Sequence, residues 1–292
     1  MKSKLFEGGS MPGVGPIHIS EIEPTLKKLE SILGIDLRNN ALGSVGKKQF
    51  SGDIDVALQI DADDIPAFIE KLKQIDIVED ISKSSVIMTK VKIVNYDESK
   101  QTDKPRTGYV QVDFMPGDPG WLKTYYHAPH ETESKYKGVF RNLLVAHICL
   151  HFERQASDDK IDDGRPVEEE RWMFSPRDGL VRVKRTPVPK ATGQGYTKKN
   201  NNKIIDGPYR TADEIAEKLN LGSVEALNSY ESLKKAMEKN YPTTLTKDIL
   251  LAFKNDKTVQ DVGVPDDLQK LGEGSEGSTA WFREILSHVI LD

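Results

Sequence analysis

The chain has 292 residues and a formal net charge of −5, with 37% hydrophobic and 30% charged residues, so we expect a full-sized core and two domains. The negative balance argues against global attraction to nucleic acid or a membrane surface, and any such contact must be local. The single cysteine, Cys149, excludes an intrachain disulfide, and no run approaches the roughly 20 apolar residues of a membrane span, so we expect a cytoplasmic protein with no membrane partner.

The N-terminal segment 5–19 is rich in glycine and proline, which is typical of a loop. It is expected to lie over the core as an arm, or alternatively to border an active site. A helix is predicted next, with Ser20 as its N-cap and Gly34 at its C-terminal stop. Its apolar residues recur at helical spacing. They are Ile22, Leu26, Leu29 and Leu33.

A strand is predicted next, in which the aspartates Asp53 and Asp55 alternate with the apolar residues Ile54 and Val56. Residues two apart in a strand share a face, so both carboxylates are expected to point away from the core. Like charges held this close repel each other unless a cation lies between them. Carboxylate oxygens favour Mg²⁺ or Mn²⁺, and the pattern therefore predicts a divalent metal site.

A third carboxylate is predicted on a second strand. The chain continues with a helix over 65–75, a strand over 86–96 and a polar loop over 97–107. The next strand, 109–115, places Asp113 between apolar neighbours. Together the three aspartates are predicted to bridge two ions about 3.5–4 Å apart, the arrangement that clamps the oxygens of an in-line phosphoryl displacement.

A Gly-Ser pair upstream of the aspartates, Gly43 and Ser44, fits the same chemistry. Glycine lets the backbone approach a phosphate closely. The Ser44 hydroxyl and the amides of a following helical turn are expected to donate to phosphate oxygens. The pair is therefore predicted to bind phosphate.

The remaining chain is predicted to contain a helix over 133–152 with Lys135, Lys137 and Arg141 near its start. A charged loop over 154–171 and a hairpin over 172–185 follow. Segment 187–208 is predicted as a polar linker, or alternatively as a loop whose basic residues 198–203 touch a nucleic-acid backbone. The C-terminal helices are predicted over 212–219, 224–239, 246–253 and 281–291.

The combination of an apolar residue with Gly43-Ser44, then Asp53-x-Asp55 in an apolar strand, then Asp113 in a second strand, resembles the DNA polymerase β nucleotidyltransferase superfamily. The match covers 42–58 and 112–114. Segments 133–142 and 7–9 are also similar to an uncharacterised bacteriophage-encoded branch of it.

The resemblance implies an α+β fold in which helices back a mixed β-sheet. It implies transfer of a nucleoside monophosphate from ATP or another NTP to a hydroxyl, with release of pyrophosphate. By resemblance, Asp53 and Asp55 bind both metal ions, while Asp113 binds the one at the acceptor and takes its proton. Gly43 and Ser44 hold the triphosphate. The basic residues Lys135, Lys137 and Arg141 are expected to neutralise the triphosphate or grip the acceptor.

These expectations divide the chain into a nucleotidyltransferase catalytic domain (1–153), a charged loop, hairpin and polar linker (154–208), and a helical domain (209–292). Three functions stay open. The acceptor hydroxyl belongs to an RNA 3′ end, as in RNA processing, or to a small molecule or protein, which the acidic net charge favours. Alternatively the chain is a catalytically inactive protein of the same fold that binds nucleotide or nucleic acid.

Overall fold

The computed structural model describes residues 11–130 and 133–272. The chain divides into two compact units, Met1–Gly138 and Val139–Asp292, called here the first and the second unit. Both contain helices and antiparallel strands, so the predicted α+β class is confirmed. None of the helices in the described ranges has the length and apolarity needed to cross a membrane. The predicted helix 281–291 and the segment 7–9 lie outside the described residues.

The elements of the first unit in chain order are β1 (Ile17–His18), α1 (Ile19–Leu33), β2 (Phe50–Ser51), β3 (Ile54–Leu58), α2 (Ile65–Leu72), β4 (Val78–Lys83), β5 (Ile87–Lys92), β6 (Tyr109–Pro116) and α3 (Pro119–Tyr125). Four of the strands form a mixed sheet in the order β3-β6-β5-β4, in which β3 runs parallel to β6 and the other neighbours are antiparallel. A separate pair, β1 and β2, is antiparallel.

The core of the first unit forms where the apolar faces of α1 and α2 meet one face of this sheet. Alternation along the strands sends every second side chain inward, and Phe68 of α2 packs edge-on against Phe114 of β6 at 5.3 Å between ring centroids. The opposite sheet face is thereby left for polar side chains. The buried apolar residues of helices and sheet include Ile22, Leu26, Leu29, Leu33, Leu72, Ile54, Val56, Ile87, Val91, Val110 and Val112.

Helix α1 begins two residues earlier than predicted, with His18 rather than Ser20 as its N-cap. The His18 side chain accepts from the Ser20 amide, and the buried Glu21 carboxylate accepts from the His18 amide at 3.0 Å, completing a capping box. The C-terminal stop at Gly34 is confirmed, with φ of 72°.

Glu21 also ties α1 to the polar loop between β5 and β6. Its carboxylate accepts from the Asp97 amide at 2.9 Å and pairs with the Arg106 guanidinium. Both side chains are almost fully buried, 2% and 4% exposed. Arg106 further donates to the carbonyls of Pro16, Asp97 and Lys100. A single buried ion pair therefore holds the N-terminal arm and the 97–107 loop against the helix.

Strand β4, helix α3 and the two-residue strands β1 and β2 of the first unit were not predicted. Strand β4 mixes charged and apolar residues and forms the exposed edge of the sheet, so it lacks the alternation that marks a half-buried strand. Helix α3 is only 7 residues long. The sequence feature that indicates it is Asp118 followed by Pro119. Asp118 caps the helix by accepting from the Trp121 amide, and Pro119 is its first residue.

The second unit contains a four-stranded antiparallel sheet in the order β10-β9-β8-β7, with helices on either side of it along the chain. Its elements are α4 (Gly138–His151), β7 (Gln155–Ala156), β8 (Glu169–Ser175), β9 (Gly179–Pro189), β10 (Tyr196–Tyr209), α5 (Ala212–Lys218), α6 (Tyr230–Asn240), α7 (Thr243–Lys254) and α8 (Lys257–Val262).

Several predicted boundaries in this half differ from the structure. The segment 187–208, predicted as a linker, is instead the end of β9, a turn and nearly all of β10. Its many lysines and asparagines have a low strand propensity, but backbone hydrogen bonds to the partner strand hold it in a sheet. The predicted charged loop 154–171 contains β7 and the start of β8. The helix predicted over 224–239 divides at Ser229, which caps α6 after a short 3₁₀ turn. The units divide at 138/139 rather than 153/154.

Replacing Glu21 with alanine is expected to lower the free energy of unfolding by about 3 kcal/mol or more, because the Arg106 charge and two amides lose their buried partner. Urea unfolding followed by circular dichroism measures the change. The matched control is Glu23→Ala on the same helix, whose carboxylate is 72% exposed and is expected to change stability by less than about 0.5 kcal/mol. Equal effects of the two substitutions would contradict this role.

Candidate active site

The three predicted aspartates lie together at the parallel pair of strands. Asp55 of β3 stands directly opposite Asp113 of β6, and Asp53 immediately precedes β3. The flanking residues Ile54 and Val112 are fully buried in the core, whereas the aspartates are half-buried on the other face. Since neighbouring strands lie about 4.8 Å apart, the alternation predicted from the sequence brings the carboxylates of two strands to one place.

The glycine of the Gly-Ser pair lies against this cluster. Leu42 donates its amide to the Asp55 carbonyl at 2.8 Å, so the segment before Gly43 runs along the free edge of β3. Gly43 has φ of +62°, and a Cβ built there would lie 3.8 Å from Asp55 Oδ2. Gly43–Gly46 forms a turn rather than the start of the predicted helix. Any amides that meet a phosphate here belong to this turn, since the next element is β2.

The charges of the cluster are unfavourably close. Burial raises the pKa of Asp55 well above its usual range, and repulsion from Asp53 and Asp113 raises it further. Burial also raises the pKa of Asp53, although the Lys104 ammonium partly opposes this. The pKa of Asp113 is raised to about 6, chiefly by burial. Within residues 11–130 and 133–272, burial and mutual repulsion of these carboxylates therefore outweigh the favourable contacts that they make.

Gln111 is a site residue that the sequence analysis missed. It is 3% exposed and its side-chain amide donates to both oxygens of Asp113, at 2.8 and 3.0 Å. Its carbonyl oxygen accepts from the Met11 amide at 3.0 Å, which fixes the orientation of the side chain. The N-terminal arm thus borders the cluster, the alternative considered for it. The position of Gln111 could have indicated this role, because a residue two before Asp113 in a strand lies on the same face.

The turn is also connected to the segment that follows α3. Lys47, which is half-buried, donates from Nζ to the Ala128 carbonyl at 2.6 Å, and burial lowers the pKa of this lysine. The Tyr126 carbonyl lies 4.0 Å from a Cβ built on Gly43. Burial and the Asp55 charge together raise the pKa of the Tyr126 phenol. Segment 126–128 therefore forms a second wall beside the carboxylates.

The predicted basic residues have separate positions. Lys135 and Lys137 are exposed on the segment before α4, where the Lys135 ammonium lies 5.0 Å from the Tyr136 ring centroid. Arg141 is 1% exposed within the second unit, and donates to the Leu227 carbonyl at 2.9 Å and to Asn142 at 2.7 Å. Its contacts are those of a structural arginine, so Arg141 is not assigned to the nucleotide. Lys104 is the described cation whose charge lowers the pKa of Asp53.

The donor set fits a hard divalent cation. All three side chains are carboxylates, and a cation would relieve both the repulsion and the burial of negative charge that raise their pKa values. As placed, no three His, Cys, Asp or Glu side chains within 11–130 and 133–272 are arranged as a metal-binding group. Asp53, Asp55 and Asp113 would therefore share an ion only after their side chains rearrange.

Comparison with known proteins adds no family assignment. No protein-family model matches the chain, and no curated protein matches it either.

Replacing Asp55 with asparagine is expected to stabilise the metal-free protein at neutral pH, by about 1–2 kcal/mol. Groups whose pKa is raised by folding favour the folded state below their unfolded pKa, and this contribution is lost as pH rises through the folded value. For Asp113 that window runs from about 4 to about 6. Wild type should therefore lose more stability than Asp55→Asn between pH 4 and 7.

Thermal unfolding across this pH range, with and without Mg²⁺ or Mn²⁺, measures the difference. The cation should stabilise wild type at pH 7 and stabilise Asp55→Asn less, because one repelling carboxylate is gone. Asp63→Asn, an exposed aspartate just after the same strand, is the matched control and should behave as wild type. Loss of stability in metal-free Asp55→Asn at pH 7 would contradict the repulsion described above.

Proposed function

We propose that the first unit is a metal-dependent nucleotidyltransferase, which moves a nucleoside monophosphate from an NTP to a hydroxyl acceptor and releases pyrophosphate. The observation that carries the proposal is the convergence on Asp55: Asp113 stands opposite it across parallel strands, and Gly43 approaches its carboxylate from the turn. The resemblance of these segments to the polymerase β superfamily supports the same reaction. The mixed sheet backed by α1 and α2 is consistent with the core of that superfamily.

In this proposal the acidic residues hold two Mg²⁺ or Mn²⁺ ions, which supply charge neutralisation for the triphosphate and the leaving pyrophosphate. Asp53 and Asp55 would hold both ions, and Asp113 would hold the one at the acceptor hydroxyl. With a pKa of about 6, an ionised Asp113 is available near neutral pH to accept the proton of the attacking hydroxyl. Gln111 acts as a positioning residue by holding both Asp113 oxygens.

The phosphate end of the NTP is assigned to the turn. With φ of +62°, Gly43 adopts a backbone conformation that residues with a side chain rarely adopt, and its bare backbone lies beside the Asp55 carboxylate. The half-buried Ser44 follows it and supplies a hydroxyl donor. Exposed Lys135 and Lys137 are candidates for added positive charge, and Lys104 is the cation whose field already reaches Asp53.

The non-catalytic alternative is disfavoured by the same electrostatics. A protein that only binds nucleotide has no use for three mutually repelling carboxylates, whose crowding and burial raise the pKa of each. Their retention is understandable if the cluster is completed by cations during a reaction. This reasoning favours an enzyme without choosing the base of the NTP.

The proposal predicts that Asp113→Asn lowers the turnover rate by roughly a hundredfold to ten-thousandfold, because the hydroxyl loses its proton acceptor. The affinity for NTP should change much less, since the turn is untouched. The measurement is transfer of label from each of the four α-labelled NTPs, with Mg²⁺ or Mn²⁺, to three acceptor pools: total RNA, small hydroxyl compounds and the protein itself. Asp63→Asn is the control and should keep full activity.

Label in one pool that depends on Asp113 identifies the acceptor class. Full activity of Asp113→Asn would overturn the assigned role of that carboxylate. Absence of transfer by wild type to every pool, with NTP binding retained, would overturn the proposed reaction and favour the binding protein.

A further inference from the structure

A long basic ribbon projects from the sheet of the second unit. It consists of β9, the turn after it and the first ten residues of β10, and we call these residues, 179–205, the basic ribbon. Within it the sequence has seven basic residues and no acidic one, although the chain as a whole carries a net charge of −5. Asp178 and Asp206 bound it on either side. The basic residues are Arg182, Lys184, Arg185, Lys190, Lys198, Lys199 and Lys203.

The three basic residues nearest the rest of the sheet form ion pairs with glutamates at the start of β8 and just after α4. Lys184 pairs with Glu168 at 2.8 Å, and Arg185 pairs with Glu169 at 3.0 Å. Arg182 likewise lies 3.2 Å from Glu153. These residues therefore have a structural explanation, and the inference does not depend on them.

The four lysines farther along the ribbon are different. Pairing of β9 with β8 ends at Arg185, and beyond it the ribbon strands pair only with each other in the described part of the second unit. Arg165, itself paired with Asp163, supports this part by donating to the Thr197 carbonyl. No carboxylate among the described residues lies within 4.0 Å of the distal lysines. They are Lys190, Lys198, Lys199 and Lys203, and all four are exposed.

The lysines of β10 lie close to one another in the chain. Lys203 stands directly opposite Lys184 of β9, whose ammonium is already paired with Glu168. Lys198 and Lys199 come just before Asn200, where regular pairing of β10 with β9 begins. Asn200, Asn201 and Asn202 separate Lys199 from Lys203 and add amide groups that can donate to anionic oxygens. The distal ribbon thus combines cations and amides.

Lysines on an edge strand also discourage unwanted strand pairing, and β10 is an edge strand. Lysine is well suited to that purpose, but that purpose does not account for Lys190, which lies in the turn between the two strands. A concentration of cations on a narrow two-stranded ribbon also complements a phosphodiester backbone. A ribbon of two strands has the width that the major groove of B-form DNA admits.

We infer that the basic ribbon binds nucleic acid through its phosphate backbone. This makes nucleic acid the class of acceptor for the transferred nucleotide; that last step rests on the proposed function, whereas the binding does not. The net charge of the chain argues only against global attraction, and the ribbon is the local basic patch that such contact requires.

The test is the binding of fluorescein-labelled single-stranded RNA, hairpin RNA and duplex DNA to the full chain, without NTP or metal. The variant is Lys198→Gln with Lys199→Gln and Lys203→Gln. Its affinity should fall roughly tenfold to hundredfold near physiological salt, and the slope of log affinity against log salt should fall by about 2, because three phosphate contacts are lost. Comparison of the three probes shows which backbone is preferred.

Two controls separate ribbon charge from general effects. Lys235→Gln with Lys239→Gln and Lys247→Gln removes three exposed lysines from α6 and α7 of the same unit, and should leave binding unchanged. The variant Lys198→Arg with Lys199→Arg and Lys203→Arg keeps the positive charge and should bind as wild type. Unchanged binding by the ribbon variant would overturn the inference, as would displacement of RNA by poly-glutamate as effective as displacement by unlabelled RNA.

The transfer assay distinguishes the two proposals. If wild type binds RNA but transfers no nucleotide, the reaction is wrong and the binding stands. If wild type labels RNA and the ribbon variant labels it equally well with unchanged affinity, the ribbon inference is wrong and the reaction stands. Selective loss of RNA labelling in the ribbon variant, with labelling of a short dinucleotide acceptor retained, would support both.

Discussion

The account depends on the direct opposition of two carboxylates, Asp55 and Asp113, on neighbouring parallel strands. Each has a fully buried apolar neighbour, so the strands are fixed by the core and the acids cannot move apart with the backbone. Asp53, two residues before Asp55 in the sequence, adds a third negative charge. Burial and repulsion raise the pKa values of these carboxylates. A bound cation would reduce the repulsion and lower those pKa values.

Other features of the first unit keep this unfavourable cluster in place. Gln111, oriented by the Met11 amide, holds Asp113 from the side of the N-terminal arm. The Glu21–Arg106 pair fastens that arm and the loop that carries Lys104. Part of the favourable free energy of folding therefore offsets the unfavourable energy of holding these charges close together. Such an arrangement is typical of functional sites.

Sequence patterns predicted β3 and β6 with their carboxylates because the alternation of apolar and acidic residues is strong at Ile54–Val56 and around Asp113. They did not predict Gln111, since a lone glutamine carries no pattern and its role depends on a partner 100 residues away. Arg141 was predicted as a nucleotide ligand from its position in a basic run, but tertiary packing buries it against Leu227. Strand β10 was missed because its pairing with β9 overrides the weak strand propensity of lysine and asparagine.

The central claim is that Asp53, Asp55 and Asp113 hold divalent cations together with a nucleotide. It is tested most directly by titrating Mn²⁺ into the full chain with and without a non-hydrolysable NTP analogue, using calorimetry, for wild type and Asp55→Asn. The account predicts two ions bound per chain in wild type when the analogue is present, and loss of that binding in Asp55→Asn. Equal Mn²⁺ binding by the two proteins, or none by wild type with the analogue present, would contradict it.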